Sequence, residues 1–338
     1  MRQRIGPLAP IAIVVGLVAT LHAQSAPGAA RPAAPARRPA PRVAPFGPQP
    51  GVTGTRNPTD LKTVLYFTAD ALGMLRGPRE VDHILTMELW GAGTITRDGK
   101  PCRTSDYHAS VRYQAIPTAA AAANLAQLRG QFRGESALIG VPALRVSATC
   151  AGSAKPRVDV VAGRHAWNEE KPGVNPTPAM ETFDDRATQL WTLIPESVMK
   201  AAMAAGDKTT LAQENGQPVL TFPMLAPFDG ATMKVWISPK IFRIDTNPAG
   251  QKTEYSHLME RSQLTIGGHV IETRYSEYGD WNEKDLNSMI LLPRHIVQTR
   301  DGTTVVDLTI SKTDTFNPYV IMPIPAALAK SSSQTSTR

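Results

Sequence analysis

Arg294-His295-Ile296-Val297-Gln298-Thr299-Arg300-Asp301-Gly302-Thr303-Thr304-Val305-Val306-Asp307-Leu308-Thr309-Ile310-Ser311-Lys312 reads as two strands hinged on Asp-Gly. β-Branched residues crowd both arms, and Asp-Gly supplies the positive-φ positions that a two-residue hairpin turn needs. Strands are expected from Arg294 to Thr299 and from Thr304 to Lys312. The same signals recur upstream, from Gln263 to Ile266 and from Val270 to Tyr278. Before these come Thr209 to Gln213, a turn at Asn215-Gly216, Val219 to Pro223, Thr232 to Ser238 and Lys240 to Thr246. Nearer the N-terminus, Val81 to Trp90 reads as a strand ending at Gly91-Ala92-Gly93. Asp98-Gly99 is a turn signal and Tyr107 to Ile116 the return strand, with further strands from Leu144 to Cys150 and from Arg157 to Val161.

Helical signals are few. Asn57-Pro58-Thr59-Asp60 caps a run whose apolar residues Leu61, Val64, Leu65, Ala69, Leu72 and Leu75 share one helical face, ending at Gly77-Pro78. Glu181 to Gly206 carries a second such pattern, divided into two helices by Pro195. The Ala-rich piece from Ala119 to Gly130 has helical composition, and the segment from Gly163 to Gly173 reads as a connection. Strands joined by hairpins, without a βαβ rhythm, give an α+β fold: a curved antiparallel sheet, an unclosed β-barrel, capped by a few helices.

The ends read differently. Met1-Arg2-Gln3-Arg4, the apolar run from Ile11 to Leu21 and small residues at Ala23 and Ala26 have the layout of a secretory signal peptide, assigned to residues 1–23. Residues 24–58 are rich in Pro, Ala, Gly and Arg, the composition of an extended, hydrated linker. Residues 59–325 are expected to form a single domain, and 326–338 a disordered polar tail. Of 36 basic residues, seven arginines precede Thr59 with no acidic residue among them, so 29 basic face 29 acidic residues thereafter. The formal charge of +7 therefore belongs to the N-terminal arm, and no basic groove for nucleic acid is expected in the body. Export places the chain in the periplasm or outside the cell, where Cys102 and Cys150, the only cysteines, are expected to pair.

Catalytic signatures fail inspection. Gly134-Glu135-Ser136-Ala137-Leu138 lacks the closing glycine of a nucleophile elbow, and Gly91-Ala92-Gly93 lacks the third glycine of a dinucleotide site. Histidines are scattered singly; Glu254 and His257 stand three apart, which on a helix would aim both at one metal, but a solvated turn explains them as well. No catalytic residue, metal or cofactor is assigned. What remains is apolar. Trp90, Trp191, Trp236, Phe222 and Phe242 are candidates to line a hollow between sheet and helices, with core packing the alternative for each. The expected partner is an apolar ligand or lipid, and the basic linker could touch an anionic envelope component. Alternative readings are a structural envelope module without a ligand, or a hydrolase with an unfamiliar site around Glu254 and His257.

Leu75-Arg76-Gly77-Pro78-Arg79-Glu80-Val81-Asp82, Trp167-Asn168-Glu169 with Pro172-Gly173 after it, Ile194-Pro195 leading into Lys200-Ala201-Ala202, and Tyr275-Ser276-Glu277-Tyr278 form one set of motifs. With Leu292-Pro293-Arg294-His295-Ile296-Val297-Gln298 and Val305-Val306-Asp307-Leu308-Thr309-Ile310, they resemble a group of uncharacterised exported bacterial proteins. That group is similar in layout to the periplasmic lipoprotein-carrier (LolA/LolB-like) superfamily. The resemblance spans about Asp60 to Pro323 and implies an unclosed antiparallel barrel lidded by helices, carrying an acyl chain. The stretch from Gly279 to Leu292 replaces a short glycine-containing turn of the group, and the carriers' cavity-closing arginine is not mapped onto any residue of this sequence.

Overall fold

The computed structural model describes residues 59–76, 81–82, 84–113, 141–224, 227–228, 230–240, 242–245, 252–255, 257–281, 290–315, 317, 320 and 322–328. All belong to the second of the two units into which the chain divides, Val43–Arg338. The signal segment, the linker, the Ala119 to Gly130 piece and the last ten residues lie outside the described residues.

Thirteen strands form one antiparallel sheet. In chain order its first arm is β3 (Thr86–Arg97), β4 (Lys100–Arg112), β5 (Ala143–Ala148), β6 (Arg157–Ala162), β7 (His165–Glu169) and β8 (Thr177–Pro178). The second is β9 (Thr210–Glu214), β10 (Gln217–Pro223), β11 (Thr232–Ile237), β14 (Met259–Ile266), β15 (His269–Asp280), β16 (Leu291–Arg300) and β17 (Thr303–Asp314). Two short hairpins, β1 (Leu75–Arg76) with β2 (Val81–Asp82) and β12 (Phe242–Asp245) with β13 (Lys252–Tyr255), stand apart. The lateral order is β8-β7-β6-β5-β4-β3-β17-β16-β15-β14-β11-β10-β9. Each arm is a run of neighbouring strands, and the first and last strands of the sheet in sequence, β3 and β17, join the arms in the middle. The outermost strands, β8 and β9, do not pair with each other, so the barrel stays unclosed.

Helices α1 (Leu61–Ala71), α2 (Phe183–Thr192) and α3 (Pro195–Ala205) lie on one face. Asp60 caps α1 as expected, its carboxylate accepting from the Thr63 amide. The helix stops at Ala71 rather than running to Gly77-Pro78. Gly73, at φ +70°, allows Met74 N to bond Ala69 O and Gly73 N to bond Asp70 O, which closes the last turn. Pro195 opens α3 at its first position and separates it from α2.

The chain leaves one sheet edge at β8 and re-enters at the other as β9, with α2 and α3 in between. Arg186 of α2 bonds the backbone carbonyls of Val160 in β6 and Trp167 in β7, while Thr192 at its far end is bonded by Tyr275 of β15 and Gln298 of β16. On a flat sheet the five steps from β6 to β16 would span about 24 Å. Six helical residues rise only about 9 Å. One helix reaches both because the sheet curls around it.

The concave face and the three helices share one apolar core, including Met87, Leu89, Val111, Leu144, Met233, Ile296 and Leu308 from strands and Val64, Leu190, Val198 and Met199 from helices. Each such side chain stabilises the fold by about 1.5–3 kcal/mol through burial. On the convex face a second cluster forms where Val320, Met322 and Leu328 cover Ala143, Val158, Val160, Ala162 and Trp167. Cys102 of β4 and Cys150 after β5 are joined, with Cα atoms 5.0 Å apart, and close a loop over a separation of 48 residues. In the chain-entropy account such a loop is worth about 4 kcal/mol.

Several expectations are corrected. Gly91-Ala92-Gly93 does not end a strand: β3 continues through it with a bulge, because the backbone of β17 passes against the bare glycine Cα atoms. The return strand begins at Lys100, directly after the Asp98-Gly99 turn, and stops at Arg112. The 163–173 stretch contains a strand, β7, hydrogen-bonded to β6. Glu254 sits in β13 and His257 beyond it at φ +66°, so the pair shares no helical face.

Candidate functional site

Where the N-terminal turns of α2 part from the sheet, a cleft of about 300 Å³ opens. Ile95 of β3 and Leu144 and Val146 of β5 give it an apolar floor, and Gln189, Thr182 and Asp185 stand on the helical side. The Asp98-Gly99 turn, with φ +50° and +72°, ends β3 so that Arg97 points inward.

Arginines and aspartates form the wall. Asp159, inward-facing on β6, is held by Arg157 Nε at 2.7 Å and Arg186 Nη2 at 2.9 Å. Arg97 Nε lies 2.8 Å from the other carboxylate oxygen, an ion pair not aligned as a hydrogen bond. Arg97 also donates to the carbonyls of Ala148 and Arg157. Arg157 completes the set by gripping Asp98, Nη2 to Oδ1 at 3.0 Å. Burial pushes the Arg97 and Arg186 guanidinium pKa values down, opposed by the charge of Asp159. Hydrogen bonds from Arg157 hold Asp98 below the usual carboxylate range and raise Arg157 itself. Buried charges are tolerated here because each has a partner.

A second recess of about 210 Å³ adjoins the first, sharing Arg97, Asp98 and Arg157. Its other walls are Lys100, Lys155, Ser153 and the Cys102–Cys150 disulfide.

Deeper in, polar groups tie helices to sheet. Tyr275 Oη donates to Thr192 O at 2.6 Å and lies 3.0 Å from Ser262 Oγ. Gln298 Nε2 donates to the hydroxyls of Thr192 and Thr273, and Tyr113 Oη meets Ser197 Oγ at 2.7 Å. Glu196 and Lys200, one turn apart on α3, are both buried beside this network. Burial raises the Tyr107 and Tyr275 hydroxyl pKa values above their ordinary range.

The five aromatic candidates do not come together. Trp191 and Phe222 belong to the concave core. Trp90 and Trp236 alternate with core residues along β3 and β11 and so point to the convex face. There Trp90 lies between the stacked His108 ring, 4.6 Å away, and Lys312, 4.3 Å above it. Trp236 carries Arg261 at 3.7 Å on its ring and donates to Glu214. Phe242 lies on β12, and its side chain is outside the described residues. Sequence reading missed the Arg97–Asp159–Arg186 cluster, whose members are scattered over 90 positions. The one available signal was a charged residue, Asp159, inside the otherwise apolar run Val158–Ala162.

Among the described residues no three His, Cys, Asp or Glu side chains converge to hold a metal ion, and no helix is long and apolar enough to cross a membrane. No protein-family model matches the sequence, and no curated protein matches it. Solved structures that it resembles include a LolA superfamily protein from Nitrosomonas europaea. The identity is 11%, the TM-score 0.35, and the match covers 76% of this chain and 93% of that one. The architecture described above rests on its own strand order and register, not on that likeness.

Proposed function

We propose that the protein is a non-catalytic, exported binding protein that seats an apolar ligand, a lipid or a lipoprotein acyl chain, in the cell envelope. The observation that carries this reading is the cleft beside α2, whose apolar floor of Ile95, Leu144 and Val146 is continuous with the concave core. Its volume of about 300 Å³ is at the lower end of ligand sites. The arginine–aspartate wall fixes the opening, so little ordering is left for a ligand to impose. Trp191 and Phe222 are the aromatic candidates on the ligand's side of the sheet. The disulfide fits the oxidising compartment to which residues 1–23 would direct the chain. Native mass spectrometry of the purified mature protein tests the reading. A co-purifying lipid mass, or uptake of an added fatty acyl probe, is expected; a ligand-free protein that takes up neither lipid nor apolar dye sinks it.

The charge of residues 24–58 favours an added role as a tether, since Arg31, Arg37, Arg38, Arg42 and Arg56 have no acidic neighbour in the segment. Deleting that segment should release the protein from envelope fractions while leaving ligand affinity unchanged.

A further inference from the structure

The geometry points to an anionic amphiphile as the ligand, its apolar tail in the cleft beside α2 and its phosphate or carboxylate head in the adjoining recess beside the disulfide. The inference rests on the binding role proposed above and specifies its chemistry.

The two compartments differ in lining but share a wall. The larger has the apolar floor; the smaller, about 210 Å³, has Lys100 from the start of β4 and Lys155 from the β5–β6 connection. Arg97 and Arg157 are already held by Asp98 and Asp159, so they contribute rigidity more than free charge. Lys100 and Lys155 differ: both are exposed, and neither forms an ion pair among the described residues. Two lysines from separate hairpins, with Ser153 also lining the recess, suit an anion recognised as a point charge. The disulfide fixes the spacing of the two hairpins, because it ties β4 to the segment after β5 directly behind the recess.

Titration calorimetry of the mature protein with dodecyl phosphate, dodecyl glucoside and inorganic phosphate, each below any micellar concentration, tests this. Dodecyl phosphate should bind about tenfold more tightly than the uncharged glucoside, as two partly screened charge pairs allow. The double variant Lys100→Gln/Lys155→Gln should erase that preference, and so should high salt. Both lysines are exposed, so an unchanged urea midpoint shows that the variant is folded. Equal binding of the two amphiphiles overturns the anionic head while the apolar site stands. Inorganic phosphate binding as tightly as dodecyl phosphate overturns it in favour of a free-anion site. If neither amphiphile binds, the underlying binding role falls as well.

Discussion

Arg186 of α2 meets Asp159 of β6 at 2.9 Å across the gap between helix and sheet. The same guanidinium donates to the Val160 and Trp167 carbonyls and to the Asn168 side chain, so one residue ties α2 to β6 and β7. Removing it leaves Asp159 with two arginines but deprives buried acceptors of their donor. Arg186→Ala should cost about 2–4 kcal/mol in urea unfolding. Arg186→Lys should recover only part of this, since an ammonium cannot present the fork of donors that serves carboxylate and carbonyls together. Wild-type stability in the alanine variant would show that the cluster is ornamental to the fold.

Alkaline solution probes the interior. The Tyr107 and Tyr275 hydroxyls are almost completely buried, and burial raises their pKa values. For an acid whose pKa is raised on folding, the stability contribution is full below the unfolded value, about 10, and is lost as pH climbs toward the folded one. The urea midpoint should therefore fall above pH 10, and tyrosinate absorbance should rise with unfolding rather than before it. Tyr275→Phe should flatten that decline. It should also cost about 1–2 kcal/mol at neutral pH, by freeing Thr192 O from its 2.6 Å hydrogen bond.

Much of the sheet was legible because hairpin chemistry is local. Asp98-Gly99, Asn215-Gly216 and Asp301-Gly302 all adopt positive φ at both residues, and the strands begin and end around them. Pro195 likewise marks the boundary between α2 and α3. What failed depends on partners distant in sequence. Gly91-Ala92-Gly93 looks like a terminus until β17 is laid beside it, and Trp90 looks like a cavity residue until the strand's parity is set by Met87 and Leu89. The cleft was illegible for the same reason: Asp159 and Arg186 acquire meaning only when curvature brings β6 under α2.

Gly93 tests the central seam. A Cβ built there would lie 2.0 Å from Asp307 O, and φ is +151°, so both space and backbone resist a side chain. At Gly91 the nearest atom, Thr309 O, would be 2.4 Å away. Gly93→Ala should cost about 3 kcal/mol or more, because it forces β17 away from β3 where the two arms join. Gly99→Ala, at φ +72° with nothing near, is strained only in its backbone and should cost about 1 kcal/mol. Comparable losses for the two variants would refute the close approach.

Tryptophan emission separates the two faces. Trp191 is on the helix that borders the cleft and belongs to the concave core with which the cleft's apolar floor is continuous, whereas Trp90 and Trp236 are covered by cations on the convex side. A ligand entering between α2 and the sheet changes the surroundings of Trp191 and leaves the other two as they were. Addition of an acyl ligand should therefore shift the emission of the wild-type protein, and Trp191→Phe should remove most of the shift while Trp90→Phe and Trp236→Phe preserve it. Because Trp191 is only 6% exposed, the phenylalanine variant will lose some packing, about 1–2 kcal/mol, without unfolding. A shift that disappears with Trp236 instead would move the binding surface to the convex face, where Arg261 lies on that ring, and would take the cleft out of the account.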